Sequence, residues 1–423
     1  MSLINFSVEY YDTVQQNLFQ GFPNAATLNT LVHNGMSISR DEFLAYMMFT
    51  EQDDTQIGYR NYDELSKIVG SRLGDIDNYL SFNNGSVQSK VTSGRMMNAG
   101  FTERLGVALG LCVVNKIHQL TAADWKIIPK TNQHKTFDFN IPIASTGTNF
   151  IQTENKGSVV IDNTLPQVVR HHYSGEHGII PKKNYVRQEE VKQRIPIHQN
   201  LFYGTIGVLD NRTNSIAKVW LVDPPAMDIE MNPEKYKLLA RLHYYLDEFR
   251  NIGVRENITK ALEERIKSIE ETKDYLEFDN KQLDGNFPRR GAYYLYMEGK
   301  MFAAIDTNEA FGSIFITEYR QRISAFIIAF PKAIMRLIVK QDFKAILEYN
   351  YNPDFINESV QVLMRISGKD MEDTKFPDDL KFIFNERKKY YEATYYGKVS
   401  HSTDGRIFGL LNEEQNIDNE KSS

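Results

Sequence analysis

The spacing of apolar and polar positions changes along this chain of 423 residues, and the changes divide it into segments. Residues 100–225 begin with an apolar stripe at helical spacing, from Phe101 to about Gln119, and continue with apolar runs of strand length. A basic, helical connection at about 165–195 separates the first two runs from the last two. The predicted strands are Thr136–Ile143, Asn149–Ile161, Leu201–Leu209 and Ser215–Val222. This order predicts an α/β unit.

On either side of this unit, apolar residues more often recur at the spacing of an amphipathic helix. Residues 1–99 are predicted to be mixed but mostly helical, with short amphipathic helices at Arg40–Phe49 and Tyr62–Val69. Residues 226–411 are predicted to be a mainly helical C-terminal domain, and the polar residues 412–423 a disordered tail. The helices predicted for this domain are Glu234–Arg250, Glu256–Leu276, Phe315–Lys340, Gln341–Tyr349 and Asn357–Ile366, with a β-hairpin of Gly291–Met297 and Met301–Asp306. The expected fold class is α+β with an α/β core.

Composition indicates an ordinary globular protein, with 41% hydrophobic and 25% charged residues. The single cysteine, Cys112, cannot form an internal disulfide, so nothing favours an oxidising compartment. No apolar run reaches the roughly 18–20 residues that span a bilayer. The N-terminus has no basic region followed by an apolar core, as a signal peptide would. We therefore expect a cytoplasmic protein that does not enter a membrane.

Positive charge is concentrated in one part of the chain. The net charge is −6 overall, but residues 126–200 contain ten Lys or Arg against six Asp or Glu, a local balance of +4. Five of the nine histidines fall in the same window. A local basic region favours a polyanionic substrate more than the whole-chain charge does. The alternative is a solvated surface face with no ligand.

The strongest candidate chemistry lies in the segment Phe150–Gly157. Side chains alternate between the two faces of a strand, so Glu154 and Lys156 are predicted to lie on the same face. Asp138 lies in the preceding predicted strand. Two carboxylates and an amine on adjacent strands suit a divalent cation that activates a water. The alternative for Glu154 and Lys156 is an exposed charge pair.

The predicted helix before these strands carries a further carboxylate. Glu103 shares a helical stripe with Gly106, Val107 and Gly110. Each glycine costs a helix about 1 kcal/mol relative to alanine, so two on one stripe indicate that another element packs closely there. The alternative for Glu103 is a glutamate favoured near the positive end of the helix, with no part in a site.

The order of Glu103, Asp138 and Glu154-x-Lys156 resembles the PD-(D/E)xK nuclease superfamily, over roughly residues 100–225. The resemblance implies a restriction-endonuclease-like mixed sheet flanked by helices. The family runs helix, three-stranded antiparallel meander, helix and strand, and this sequence departs from its motif because no proline precedes Asp138. By this resemblance Asp138, Glu154 and Glu103 would bind Mg²⁺ (or Mn²⁺), and Lys156 would orient a water or stabilise negative charge.

The function expected from this resemblance is a Mg-dependent deoxyribonuclease that hydrolyses DNA phosphodiester bonds in restriction or antiviral defence. Phosphate contacts set affinity without reading sequence. A homo-oligomer or a defence-system partner protein is a further expectation. The alternative is a non-catalytic protein that binds nucleic acid or a partner through a degenerate nuclease fold. The candidate substrate-binding residues are Gln152, Arg170, His171, His172, Lys182 and Lys183.

Overall fold

The computed structural model separates the chain into two compact units. The N-terminal unit contains residues 1–57, 74–244 and 268–278, and the C-terminal unit contains residues 58–73, 245–267 and 279–423. The structure describes residues 3–21, 24–49, 62–83, 85–91, 99–127, 139–141, 150–160, 165–192, 200–210, 216–222, 233–252, 256–271, 283, 293–297, 300–306, 310–319, 322–352, 359–367, 383–386 and 390–413.

A seven-stranded mixed sheet forms the centre of the N-terminal unit, with a separate two-stranded hairpin beside it. The nine strands of this unit are β1 (Leu3–Tyr10), β2 (Met36–Ser39), β3 (Leu80–Asn83), β4 (Ser86–Ser89), β5 (Lys126–Ile127), β6 (Phe139–Ile141), β7 (Phe150–Val160), β8 (Asn200–Asp210) and β9 (Ala217–Val222). The order across the large sheet is β2-β1-β9-β8-β7-β6-β5, and β3 pairs with β4.

Helices precede and connect these strands. The helices described up to residue 271 are α1 (Thr13–Gln20), α2 (Ala25–Asn34), α3 (Arg40–Phe49), α4 (Tyr62–Tyr79), α5 (Ala99–His118), α6 (Leu165–Ser174), α7 (Ile179–Lys192), α8 (Pro233–Asn251) and α9 (Glu256–Glu271). The helices predicted near residues 40–49, 101–119, 234–250 and 256–276 are confirmed, and the predicted basic connection is the helix pair α6–α7.

Strand directions in the large sheet follow from the length of each connection. β5, β6 and β7 are antiparallel neighbours. The next strand, β8, is parallel to β7, because α6 and α7 provide the long crossover that a parallel pair needs. β8 and β9 then form an antiparallel pair.

The first strand of the chain joins this sheet beside its last strand in sequence, β9, although the two are far apart along the chain. β1 lies parallel to β9, with Phe6 paired to Ala217. Phe6 and Val8 are buried, and β2 lies antiparallel on the far side of β1. Residues 1–57 therefore share a core with the predicted α/β unit.

The C-terminal unit is built on a β-sheet, and the prediction of a mainly helical domain is wrong. Its nine-stranded sheet has the main order β10-β11-β12-β13-β18-β16-β14, with β15 paired to β16 and β17 to β18. The elements are β10 (Tyr293–Met297), β11 (Lys300–Asp306), β12 (Ala310–Tyr319), β13 (Arg322–Pro331), α10 (Lys332–Lys340), α11 (Phe343–Glu348), β14 (Ser359–Ser367), β15 (Ile383–Asn385), β16 (Tyr390–Lys398), β17 (Ser400–His401) and β18 (Ile407–Glu413).

Two predicted helices of this unit are strands for identifiable reasons. The helix predicted over Phe315–Lys340 is wrong before Pro331 and correct from Lys332 onward. Its first part is rich in Ile and Phe, residues that favour strands, and a continuous apolar run has no period that separates strand from helix. The helix predicted at Asn357–Ile366 is the strand β14, in which apolar residues recur at every second position.

The hairpin predicted around Glu298 is confirmed as β10 and β11. Asn412 and Glu413, predicted to begin the disordered tail, belong to β18, so the prediction is wrong for these two residues. The rest of the predicted tail, from position 414 onward, lies outside the described residues. Within the part of the chain that the structure describes, no helix has both the length and the apolar character needed to cross a membrane.

Candidate functional site

Glu154 and Lys156 meet on one face of β7, as their spacing predicts. The Lys156 Nζ lies 2.8 Å from the Glu154 Oε1 in an ion pair, and the Glu154 side chain is fully buried. The Lys156 side chain is 24% exposed, so its ammonium group lies between the buried carboxylate and solvent. A glutamate with no exposed surface requires a cation close by, because an isolated buried charge is strongly unfavourable. The pair is therefore a built feature of the sheet and not an exposed surface pair.

A second lysine reaches the same carboxylate from helix α7. The Lys182 Nζ donates to both Glu154 oxygens, at 2.7 Å to Oε1 and 2.6 Å to Oε2. These are short, charge-assisted hydrogen bonds. The Lys182 side chain is 17% exposed. The Glu154 carboxylate and these two ammonium groups are called the Glu154 cluster.

Helix α5 packs on the opposite face of β7. A Cβ atom on Gly106 would lie 2.4 Å from the backbone nitrogen of Gly157, and one on Gly157 would lie 2.0 Å from the Thr102 carbonyl oxygen. The prediction that the glycine stripe marks a close approach is confirmed, and the approaching element is β7. Since Gly157 alternates with Lys156, α5 and α7 cover different faces of this strand.

Polar groups lie in the next part of the contact between α5 and the sheet, around Gly110. A Cβ on Gly110 would lie 2.2 Å from both the Asn155 amide oxygen and the Thr205 hydroxyl. The Thr205 hydroxyl donates to Asn155 at 2.7 Å, and the Asn155 amide donates to the Thr153 hydroxyl at 3.2 Å. All three side chains are buried, which fixes β7 against β8 directly behind the Glu154 cluster.

The remaining predicted metal ligands are placed differently. Glu103 is exposed and lies on α5, the helix that covers the face of β7 opposite Glu154. Asp138 lies outside the described residues. It is the chain neighbour of Phe139, the first residue of β6, and Phe139 pairs with Thr153, the chain neighbour of Glu154.

Histidines of helix α6 border the Glu154 cluster. His172 is partly buried and His171 is exposed. The pKa of His172 is lowered to about 4, mainly by burial and then by the positive charge of Lys156 and of His171. His172 is therefore neutral at pH 7 and adds no charge to the cluster.

The other predicted substrate contacts differ in exposure. Arg170 is exposed on α6, and Gln152 is partly exposed on the same strand face as Glu154. Lys183 is buried, which does not favour a contact with a substrate phosphate. Lys182, predicted as a phosphate contact, lies against Glu154. Its contact could not be found from sequence spacing, because it depends on how α7 is rotated over the sheet.

The cluster matches a divalent cation in the type of its oxygen donor. Carboxylate oxygens are the ligands that Mg²⁺ prefers, and it usually binds through one or two carboxylates and keeps several waters. Among the described residues, no group of three or more His, Cys, Asp or Glu side chains is arranged to hold a metal ion. Glu154 is the described carboxylate of the cluster, and the other predicted strand ligand, Asp138, lies outside the described residues.

A second buried carboxylate of the N-terminal unit has a different environment. Asp124 ends the 3-10 turn Ala122–Asp124, and its Oδ2 accepts from the Thr121 backbone N–H at 2.9 Å. The Arg241 guanidinium donates to Oδ1 at 2.6 Å and to Oδ2 at 2.8 Å. The side chain of Asp124 is fully buried and that of Arg241 is 2% exposed. Sequence spacing does not predict this ion pair. It joins α8 to the 3-10 turn that follows α5.

No protein-family model matches this chain, and neither a curated protein nor a solved structure matches it. Function is therefore inferred from the residues and their geometry.

Proposed function

We propose that the protein is a metal-dependent endonuclease that hydrolyses DNA phosphodiester bonds with a site centred on Glu154 and Lys156. The observation that carries the proposal is the direct contact of these two side chains, with the carboxylate fully buried, on the third strand of an antiparallel meander. Restriction or antiviral defence is the setting we propose for such an activity.

The order of elements around the site supports the proposal. α5 precedes the antiparallel strands β5, β6 and β7, and α6–α7 then lead to β8, which is parallel to β7. This is the order that the resemblance to PD-(D/E)xK nucleases implies. Fold order alone does not specify a function, so the side chains on β7 carry more weight.

Each residue of the site is assigned a role by its chemistry. Glu154, with Asp138, would hold Mg²⁺ or Mn²⁺ through carboxylate oxygens. Glu103 is not assigned to this ion, because α5 places it on the opposite face of β7. The ion, when bound, would lower the pKa of a bound water and offset charge on the scissile phosphate. Lys156 would hold that water or stabilise the negative charge that develops on the phosphate.

Asp138 is included because of the strand register. Phe139 pairs with Thr153 in the antiparallel ladder of β6 and β7. Asp138 precedes Phe139 and Glu154 follows Thr153, so the two acidic residues are chain neighbours of a matched pair. We propose that the two carboxylates act together on one ion.

The DNA backbone would approach from the side of α6. Arg170 and His171 are exposed on α6, and Lys156 is partly exposed on β7. Cationic and hydrogen-bonding groups of this kind bind phosphates and set affinity without reading sequence. The low pKa of His172, about 4, makes it a neutral hydrogen-bonding group and not a cation in this surface.

A non-catalytic nucleic-acid-binding protein is the second candidate function. The observation that favours it is the pairing of Glu154 with two partly exposed lysines, whose ammonium groups could attract a phosphate without a metal. A protein of this kind would bind DNA in the presence of EDTA and would cut none.

Plasmid cleavage separates the two functions. Purified protein is incubated with supercoiled plasmid and Mg²⁺ or Mn²⁺, alongside Glu154→Gln, Lys156→Ala and the exposed control Arg170→Gln. We expect the wild type to cleave DNA only with the metal ion, and the cleavage rate to fall at least about 10²-fold in the first two variants. Each of these variants removes a group that is proposed to stabilise the charge that develops on the phosphate. Arg170→Gln should weaken DNA binding and leave the rate at saturating DNA largely unchanged. DNA binding without cleavage by any of the four proteins would establish the second function.

A further inference from the structure

Helix α10 of the C-terminal unit carries positive charge along one side. Its sequence contains two Lys, one Arg and no Asp or Glu. The three cations, Lys332, Arg336 and Lys340, follow one another at intervals of four residues, so they lie on the same side of the helix. Arg336 and Lys340 are exposed, and Lys332 is partly exposed. We call these three residues the α10 stripe.

The opposite side of α10 holds the stripe in place. Ile334, Met335 and Ile338 are fully buried, and Val339 is 6% exposed. The helix begins directly after β13, and α11 follows it. The buried side chains give the cations a rigid base. Because these apolar side chains are used inside the protein, they cannot insert into a membrane surface as those of an interfacial helix do.

Interactions within the helix oppose this arrangement of charge. Like charges four residues apart repel, and the stripe contains two such pairs, Lys332 with Arg336 and Arg336 with Lys340. Lys332 also lies in the first turn, where the positive end of the helix dipole disfavours a cation. Lys340, in the last turn, is the member that the dipole favours. Residues that break the local rules of stability in this way are expected where a surface serves a ligand.

Exposed cations on α8 and α9 of the same unit show a different surface arrangement. Arg250 lies 2.8 Å from Glu263, and Lys267 lies 3.5 Å from the same carboxylate. The acidic residue that follows α10 is Asp342, whose carboxylate caps α11 by accepting from the Ala345 backbone N–H at 3.2 Å. The α10 stripe is therefore not offset by acidic residues of its own helix, and its charge suits an external polyanion.

We propose that the α10 stripe binds the phosphate backbone of one strand of duplex DNA. Four residues of a helix rise about 6 Å, so the stripe extends over about 12 Å. One DNA strand carries a phosphate about every 3.4 Å along the duplex axis, so this length offers a phosphate to each of the three cations. Such contacts hold a duplex without reading its sequence. The choice of DNA as the polyanion rests on the proposed function.

The salt dependence of DNA binding counts phosphate contacts and tests the proposal. Fluorescence anisotropy measures binding of the full chain to a labelled duplex of mixed sequence, with EDTA present and salt varied from about 50 to 200 mM. Each phosphate contact contributes about 0.9 to the slope of log K against the logarithm of salt concentration. The triple variant K332Q/R336Q/K340Q should therefore have a slope that is less negative by about 2–3, and it should bind at least about tenfold more weakly at about 0.1 M salt.

A second triple variant with the same change in charge is the control. R250Q/K260Q/K267Q removes one Arg and two Lys from exposed positions of α8 and α9 in the same unit. It should keep the wild-type slope to within about one contact. Equal changes of slope in the two triple variants, or no change in either, would overturn the proposal, because the contacts would then not be specific to α10.

The α10 variant is expected to fold, since it removes two pairs of like charges from the helix. Its melting temperature, followed by circular dichroism, should equal or exceed that of the wild type. If the triple variant does not fold, the single variants Arg336→Gln and Lys340→Gln decide the matter. Each should make the slope less negative by about 0.9, and wild-type slopes in both would overturn the proposal.

The plasmid assay keeps this result separate from the proposed function. If the wild type cleaves plasmid and K332Q/R336Q/K340Q binds the duplex with the wild-type slope, the α10 surface is wrong and the nuclease stands. If the wild type cleaves nothing but binds the duplex with a slope that the α10 substitutions reduce, the nuclease is wrong and the surface stands. No binding of the duplex by the wild type would overturn the α10 surface, whatever the plasmid result.

Discussion

The N-terminal unit buries two carboxylates, Asp124 and Glu154, and neutralises them in opposite ways. Both side chains are fully buried. Asp124 is held by the planar guanidinium of Arg241, which is itself 2% exposed, and by backbone of its own turn. Glu154 is held by two lysines that are 24% and 17% exposed. The nearest partner of Asp124 is a rigid, buried guanidinium, with the lysine Lys237 farther away at 3.8 Å. Both of the partners described for Glu154 are flexible, partly exposed lysines in direct contact with it.

Under the proposed function, the difference separates a structural ion pair from a reactive one. Burial alone would raise the pKa of Asp124, but the charge and hydrogen bonds of Arg241, the charge of Lys237 and the Thr121 N–H outweigh it and lower that pKa. Asp124 thus stays ionised with its acceptors used inside the protein, and it is tied to the middle of α8 through Arg241. Glu154 is instead paired with two partly exposed lysines, an arrangement that suits its proposed role as a ligand.

Removing the partner of the enclosed carboxylate should have the largest effect on stability. Arg241→Met leaves Asp124 buried without its main counter-charge, and we expect the free energy of unfolding to fall by about 3–5 kcal/mol. Urea denaturation followed by circular dichroism measures this loss. Lys182→Gln, which leaves Glu154 paired with Lys156, should cost only about 1–2 kcal/mol. Equal losses in the two variants would contradict the distinction between the two pairs.

The next largest effect on stability is expected where α5 packs closely against β7, on the face of the strand opposite Glu154. A Cβ on Gly157 would lie 2.0 Å from the Thr102 carbonyl oxygen and 2.4 Å from the Gly106 nitrogen, and both are backbone atoms. Gly157→Ala must therefore separate α5 from β7, and we expect the free energy of unfolding to fall by roughly 1–3 kcal/mol. Cleavage should also slow, because Gly157 is the chain neighbour of Lys156.

A glycine with open space provides the matched control. A Cβ on Gly74, in helix α4, meets no atom within 4 Å. Gly74→Ala should leave cleavage unchanged and raise stability by up to about 1 kcal/mol, since alanine favours helix. Urea denaturation compares the two variants. A neutral Gly157→Ala would show that α5 and β7 do not pack in backbone contact.

Acid titration of His172 gives the smallest effect and reports on the charge of the Glu154 cluster. Its pKa is about 4 in the folded protein against an ordinary 6.5, so the unfolded chain binds more protons between these values. The contribution of His172 to stability is therefore constant above about pH 6.5, and it decreases as the pH falls to about 4. With the partial exposure of the ring, the loss is on the order of 1–2 kcal/mol.

NMR titration of the histidine ring checks this directly. Burial is the main cause of the low pKa and the charge of Lys156 the second. Lys156→Gln should therefore raise the pKa of His172 by a fraction of a unit, and Arg241→Met should leave it unchanged. A His172 pKa near 6.5 in wild type would contradict the burial of its ring beside the cationic Lys156.

The sequence predicts the elements that carry the site and the one contact that lies within a single strand. α5, β7, β8 and β9 are found where apolar spacing and turn residues place them, and Glu154 meets Lys156 because a strand has a two-residue repeat. These features depend only on local geometry.

The features that the sequence does not predict depend on packing between distant elements. Lys182 lies 28 positions after Glu154, and its contact is set by the rotation of α7 on the sheet. The pairing of β1 with β9 and the Asp124–Arg241 pair join segments far apart in the chain. In the C-terminal unit, continuous apolar runs such as Arg322–Pro331 have no period that distinguishes a strand from a helix.

The cleavage rate of two isosteric variants, Glu154→Gln and Asp124→Asn, is the most direct test of the distinction between the two carboxylates. Plasmid is incubated with Mg²⁺ at a temperature where circular dichroism shows both variants folded. The predicted result is that Asp124→Asn cuts at close to the wild-type rate and unfolds at a lower temperature, while Glu154→Gln keeps most of its stability and loses cleavage. Cleavage by Glu154→Gln at the wild-type rate, or a wild type that binds DNA without cutting it, would contradict the assignment of Glu154 to the active site.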